Sequence, residues 1–388
     1  MHIILCVLFR RGKMIFLTVI KKKLLLTLGL SLFFLVGVGG LGFDLFFKQE
    51  NITVNKELDF GLEEKVKQIF AKRNKALLEE NTDILKKLYN KEIKTGMWAY
   101  EHELNRMQYL HQWSTKQGVK FKKIASQIVI DRITEKEDGH KINLAVSTEY
   151  TYGYQDALAE DNSFRTGTYH SLNLMPQDEE LLITKEWYRD PFADSLHLDK
   201  INDKQIRKII LSKKAKNLSD LNPKRVEALE YVDQYCGSAS PSKYSQKYNP
   251  QYKNYNYQGG DCANFTSQML HEAGGFKKNR IWNYNNGAGT RAWVNGHAFN
   301  RYMLNSGRAS LLNRGSYERV LKSSYQLLPG DYIAYQKKGK VVHISIVTGV
   351  DSKGYILVNS HNSDRHRVPW DLGWSNSEVK FCLVRVHY

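Results

Sequence analysis

The sequence predicts an α+β protein: an N-terminal membrane helix, a domain of helices followed by an antiparallel sheet, and a second α+β domain at the C-terminus. Three observations lead there. Leu24 to Phe43 runs twenty residues without a charge directly behind Lys21-Lys22-Lys23. From Leu62 to about Trp113 apolar residues recur every three or four positions, and after Gly118 the period changes to two. Beyond a polar, lysine-rich stretch the chain mixes a helix and strands once more, and 388 residues suit two or three domains.

The N-terminal segment, residues 1–47, reads as a membrane-insertion signal. Twenty residues at helical rise cover about 30 Å, the thickness of the hydrocarbon core. The lysine cluster before them stays in the cytoplasm by the positive-inside rule, which puts the remainder outside. A signal core is usually shorter and ends at an Ala-x-Ala-like site; here only Val36-Gly37-Val38-Gly39-Gly40 is small enough. That favours a single-pass anchor in the cell membrane over a cleaved signal peptide and a secreted protein. Met14 would serve as well as Met1 for a start.

Residues 48–190 form the first expected domain. Val66, Ile69, Phe70, Ala76 and Leu77 share a helical face, with a break around Asn81 and Thr82. Strands are expected over Ile128 to Ile133, Lys141 to Tyr154, Arg165 to Leu174 and Glu180 to Trp187, with Pro176-Gln177-Asp178-Glu179 as a hairpin turn. Helices followed by an antiparallel meander resemble the cone-shaped cystatin-like fold of the nuclear-transport-factor kind. No catalytic constellation is visible there, and a binding or spacer role is expected. Residues 191–220 read as a connector.

The last domain, 221–388, opens with a helix from Pro223 to Tyr235, capped by Asn222 with Pro at its first position. Tyr244, Tyr248, Tyr252, Tyr255 and Tyr257 follow, and the stretch ends in Gly259-Gly260. Asp261 to His271 has a helical pattern stopped by Gly274-Gly275, which puts Cys262 in the first turn. Unpaired backbone N–H groups and the positive end of the helix dipole favour a thiolate there, the form a sulfur nucleophile needs. Four cysteines occur, three of them beyond the membrane segment, so at least one thiol is unpaired outside. A Cys236 to Cys382 disulfide would leave Cys262 as that thiol.

A base follows 81 residues later: Pro329-Gly330-Asp331 leads into the strand Tyr332 to Gln336, and a Lys-Lys-Gly-Lys turn returns through Val341 to Val350. Alternation puts His343, Ser345 and Val347 on one face and Ile344 and Ile346 on the other. A third strand, Tyr355 to Val358, ends in Asn359-Ser360-His361-Asn362, so Asn359 and His361 are candidates to orient the His343 ring. Nucleophile, base and orienter then make a hydrolytic site.

Tyr248-Asn249-Pro250, Gly259-Gly260-Asp261-Cys262-Ala263-Asn264-Phe265-Thr266-Ser267-Gln268, Pro329-Gly330-Asp331 and His343-Ile344-Ser345-Ile346-Val347-Thr348-Gly349 resemble an amidase domain family found in many Gram-positive bacteria. That family is similar in order and strand layout to NlpC-type and CHAP cysteine peptidases. The resemblance covers roughly the last 170 residues and implies a papain-like core. It implies that Cys262 attacks an amide carbonyl while His343 takes the thiol proton and returns it to the leaving amine. It leaves the third residue open, Asn359 suiting the papain-like pattern and His361 the NlpC-like one. Gln258 or Asn256 would donate to an oxyanion, Asp261 would cap or assist, and Trp282 would line a cleft or pack under a loop.

Other chemistries are disfavoured. His271-Glu272 lacks a second histidine at position 275, which is Gly, and no Cys-x-x-Cys occurs, so neither metal nor cofactor is expected. Of a net charge of +17, residues 1–47 supply +5. The excess is spread out without an arginine-rich arm, which argues against nucleic acid and suits an anionic envelope polymer, a merely solvated basic surface being the default. An outward-facing, anchored amidase of the kind the resemblance implies would take peptidoglycan or another cell-wall amide as substrate. The rival expectation is a catalytically inactive wall-binding or scaffold module of the same fold.

Overall fold

The computed structural model describes residues 6–10, 13–17, 59–192, 203–241, 247–374 and 377–388. The chain divides into two units, Met1–Lys56 and Glu57–Tyr388. In the first, β1 (Cys6–Arg10) and β2 (Lys13–Leu17) form an antiparallel hairpin with Cys6 opposite Leu17. The expected membrane segment Leu24 to Phe43 lies outside the described residues. Among those described, no helix is long and apolar enough to cross a membrane.

In the second unit the helical periodicity yields α1 (Asp59–Glu79), α2 (Thr82–Lys86) and α3 (Lys94–Gln117). The break at Asn81 is a cap: its Oδ1 accepts the N–H groups of Asp83 and Ile84, both at 3.0 Å. Gly118, at φ 71°, closes α3 in the left-handed conformation that glycine adopts without strain. Val66, Ile69, Phe70, Ala76 and Leu77 are all buried, as their spacing requires.

Four antiparallel strands follow: β3 (Val119–Lys136), β4 (Gly139–Tyr154), β5 (Ala157–Gln177) and β6 (Glu180–Tyr188). β3 and β5 are longer than expected. Register shifts between Phe121 and Lys123, and between Ile130 and Arg132, break the alternation in β3 that would have marked its length. The stretch read as a connector carries α4 (Asp203–Leu211), with Ile206 and Ile210 buried.

The C-terminal half places α5 (Pro223–Gln234), α6 (Cys262–Glu272), the pair β7 (Tyr284–Asn285) and β8 (Ala288–Gly289), α7 (Arg291–Val294) and α8 (Gly296–Asn305) before β9 (Ala309–Gly315) and α9 (Tyr317–Ser324). β10 (Tyr332–Lys337), β11 (Lys340–Val350), β12 (Ile356–Ser360), β13 (Asp364–Pro369) and β14 (Lys380–Val386) complete it. The change of texture that suggested two domains is not a break in the sheet. A ten-stranded sheet runs β3-β4-β5-β13-β12-β11-β10-β14-β9, with β6 also on β5.

β5 joins the two halves. Its Arg165, Thr166 and Gly167 pair with His366, Arg365 and Asp364 of β13, whereas His170 to Gln177 pair with β6. β4 occupies the other edge of β5, so β13 and β6 follow each other along one edge and change over at Thr168-Tyr169. A Cβ at Gly167 would stand 2.1 Å from Ser238 Oγ, which leaves no room for a side chain. Lys116 and Asp371, both fully buried, pair across the halves, and Trp113, Gln117 and Tyr355 also donate to Asp371.

Two apolar clusters cover the sheet. One holds α1 to α4 together with Ile333, Tyr335, Val347, Trp370 and Phe381. The other holds Val232, Phe265, Met269, Trp282, Trp293 and Phe299 against Ile344, Ile346 and Val384. α6 therefore packs on the Ile344 face of β11.

Candidate active site

The chain approaches α6 through Gly259 and Gly260, at φ 101° and 129°. A Cβ at Gly260 would meet Asn362 Nδ2 at 2.2 Å, so glycine is required by both conformation and space. Asp261 holds the N-cap position of the helix, but its side chain makes no capping bond. Its Oδ1 accepts from the Tyr255 N–H at 2.9 Å and from Asn264 Nδ2 at 2.8 Å, and its Oδ2 meets His361 Nδ1 at 2.6 Å. The carboxylate thus ties the preceding loop, the first turn and the end of β12 together, immediately before the cysteine.

Cys262 is the first residue of α6, reduced and 7% exposed. Burial pushes its thiol up to about 11; the Ile344 N–H works against that, the Asp261 charge adds to it, and the N–H groups of Ala263 and Cys262 oppose it. Cys236 and Cys382 are also reduced and buried, so the Cys236 to Cys382 disulfide is not formed.

His343 is not beside this sulfur. Its ring stacks on Trp374 at 5.1 Å and 18°, with Tyr335 at 5.5 Å, on the face of the sheet opposite Ile344. The cause is a bulge. β11 pairs Gln336 with Val341 but Tyr335 with His343, skipping Val342. Strict alternation from Val341, which is on the α6 face, would have put His343 there; the extra residue gives that place to Ile344. Burial, then the charge of Arg365, hold the His343 imidazole well below its usual range, and its Nε2 is buried without a partner among the described residues.

Nor does Asn359 orient that ring. It pairs in register with Ile346, on the α6 face. Its Oδ1 accepts from Thr348 Oγ1 at 2.9 Å and the Arg367 N–H at 2.8 Å, and its Nδ2 donates to Asp233 Oδ1 at 3.1 Å. His361 is on the Cys262 side, stacked on Phe265 at 3.8 Å and 11°. Both its nitrogens face acceptors, Asp261 Oδ2 and the Tyr235 carbonyl, each at 2.6 Å, which only the doubly protonated ring satisfies fully. Burial alone would lower its pKa, but the hydrogen bond and charge of Asp261, the charge of Asp364 and the Tyr235 carbonyl together raise it. The two acceptors thus favour the protonated form of His361 beside Asp261.

Of the remaining expected residues, Gln258 is exposed at the end of a short 3₁₀ turn, Asn256–Gln258. Trp282 is fully buried, donating to Ser267 Oγ at 2.9 Å and packed on Trp293 at 4.5 Å, so it supports a loop and lines no cleft. The structure brings together Cys262, Asp261 and His361 and leaves His343, Asn359 and Trp282 apart from them. Sequence reading missed Asn362, whose Oδ1 accepts the Asp261 N–H at 3.1 Å, and Asn264, which accepts from Trp293 Nε1 at 2.9 Å. The three-residue spacing of Asp261 and Asn264 was the available signal for the second. No group of three or more metal-ligating side chains occurs among the described residues.

Residues 222–384 match the family described as "Putative amidase domain", which supports an amidase-like domain, a hydrolase of C–N bonds, over that span. No curated protein matches. Among solved structures, the intermembrane space region of the chloroplast protein ARC6 is similar over 32% of this chain and 92% of its own, at 8% identity and a TM-score of 0.23.

Proposed function

We propose that residues 222–384 are an extracytoplasmic cysteine amidase of the papain-like kind, kin to the NlpC and CHAP peptidases, acting on amide bonds of cell-wall peptidoglycan. In this reading the Cys262 sulfur adds to the amide carbonyl, the C–N bond breaks and the amine leaves with the thiol proton, and water then hydrolyses the thioester to give the acid and restore the thiol. The observation that carries it is the Cys262 thiol, reduced and at the first position of α6. The N–H groups left unpaired in that first turn would stabilise charge developing on the substrate carbonyl. Asp261 and His361 are positioning residues that hold the loop and the first turn. His343 is not assigned as the base, because its ring lies across the sheet. The extracytoplasmic location rests on the Lys21 to Phe43 pattern, and the peptidoglycan substrate on an anchored amidase facing the wall.

One observation favours a second reading, an inactive wall-binding or scaffold module of the same fold: no imidazole is hydrogen-bonded to the Cys262 sulfur among the described residues, and burial raises the thiol. Digestion of purified cell wall by the fragment from Lys48 onward separates the two. The amidase reading expects new amino or carboxyl termini with wild type and at least a hundredfold fewer with Cys262→Ala, a typical loss for removing catalytic groups. Equal release by both removes cysteine hydrolysis, and no release by either leaves the module.

A further inference from the structure

Where β5 exchanges β13 for β6 the sheet leaves a seam, and a cleft of about 130 Å³ opens over it. Its walls come from both halves of the unit: Tyr169, Trp187 and Arg189 from one, Asn254, Tyr257 and Ser363 from the other. Three of its aromatic side chains are exposed although they flank a concave surface: Trp187 by 65%, Tyr257 by 83% and Tyr169 by 40%. Large rings left to water around a cleft mark a binding surface more often than a packing defect.

The polar groups define what fits between them. Asn254 uses its Oδ1 to accept the Asn256 N–H, and no bond engages its Nδ2 among the described residues. Arg189 is exposed, and its two bonds, to the Asn256 carbonyl and Asn362 Oδ1, are both long at 3.3 Å and both use Nη1. The remaining guanidinium donors suit a carboxylate. Asp364 at the floor accepts through its Oδ2 from Tyr248 and from the N–H and Oγ of Ser238. Asn362 and Ser363, on the rim, have φ of 72° and 74°, two consecutive non-glycine residues in a conformation that costs energy and clusters at ligand sites.

We infer that this cleft binds one carboxylate-bearing sugar ring of a glycan strand, stacked on Trp187 and Tyr257 with its acid on Arg189. A pyranose presents an apolar C–H face to an aromatic ring and polar substituents around its edge, which matches flat rings interleaved with amides. The volume lies below the few hundred Å³ of sites that enclose a whole ligand, so the site holds one unit of a chain that continues into solvent. Asn362 joins the cleft to the catalytic loop, since its Oδ1 accepts from both Arg189 and the Asp261 N–H. The inference rests on the amidase reading only in directing the amide-bearing part of the strand toward Cys262.

The test is titration of the full-length protein with an oligogalacturonate, with cellotetraose as the neutral sugar and tetraglutamate as the acidic non-sugar. The acidic sugar is expected to bind at least tenfold more tightly than either control. Trp187→Ala, Tyr257→Ala and Arg189→Gln are each expected to weaken it about tenfold with melting temperature unchanged; two surface aromatics guard against one variant misfolding. Cys262→Ala is expected to bind like wild type, which separates loss of the cleft from loss of hydrolysis. Failure of the acidic sugar to bind, preference for tetraglutamate, or equal binding by all three cleft variants would overturn the inference.

Discussion

His343 is held neutral by burial and by the Arg365 charge, with a folded-state pKa well below the unfolded value of about 6.5. Between those two values the unfolded chain binds more protons, so stability rises with pH there and is lost as pH falls below about 6.5. His361 has the opposite sign: its pKa is raised, so the stability from its pair with Asp261 is complete below about 6.5 and is lost as pH rises through its folded value. His343→Phe should therefore remove part of the acid-side loss while leaving the alkaline limb in place. Urea midpoints from pH 5 to 8 measure this, and an unchanged acid limb would count against the burial of the neutral ring. If His343 instead served Cys262 as a base, the same variant would lose wall hydrolysis. At this scale the sequence showed which residues alternate, but not which face α6 would cover, because a skipped residue at Val342 decides that and leaves no mark in the pattern. Both faces of β11 are buried, Ser345 and Val347 as fully as Ile344 and Ile346, so apolarity does not tell the α6 face from the other.

Among elements, α5 is the best example of local signals agreeing with the fold. Asn222 Oδ1 accepts the Lys224 N–H at 2.9 Å, and Pro223 begins the helix, as the residues alone indicate. What the motif Pro329-Gly330-Asp331 does could not be read without coordinates. Asp331, fully buried, accepts from Arg225 at 2.9 Å, Arg385 at 2.8 Å, the Val386 N–H at 3.0 Å and the Leu328 N–H at 2.9 Å. Arg225 in turn donates to the Pro329 and Val386 carbonyls at 2.6 and 2.7 Å. The aspartate locks α5, the entry to β10 and the end of β14 into one unit that carries the α6 layer. Asp331→Ala would strand the Arg225 cation in the interior and should cost about 3–5 kcal/mol. Chemical denaturation measures it, and a loss under about 1 kcal/mol would show the network to be dispensable.

For the whole molecule, the sequence divided what the sheet joins. Helices and strands were legible because their periods differ, whereas the pairing of β5 with β13 is a long-range contact between residues about 200 positions apart, and local pattern carries no trace of it. The Lys116 to Asp371 pair is equally non-local. Both links predict that Glu57–Tyr388 unfolds in one transition. Lys116→Met, which removes the buried ammonium paired with Asp371, should lower that transition by about 3–5 kcal/mol without splitting it. Coincident curves from near-ultraviolet and far-ultraviolet circular dichroism check this, and two separated steps would show independent domains.

The absence of a side chain at Gly167 has a practical corollary. The strand shared by the two halves passes so close to Ser238 that one added methyl would act as a wedge driven into the seam. Gly167→Ala should therefore give a heat-labile protein, assembled in the cold and lost on warming, and so a conditional allele. A shift to the higher temperature would then withdraw both the glycan cleft and the Cys262 site at once, with every proposed functional side chain still present.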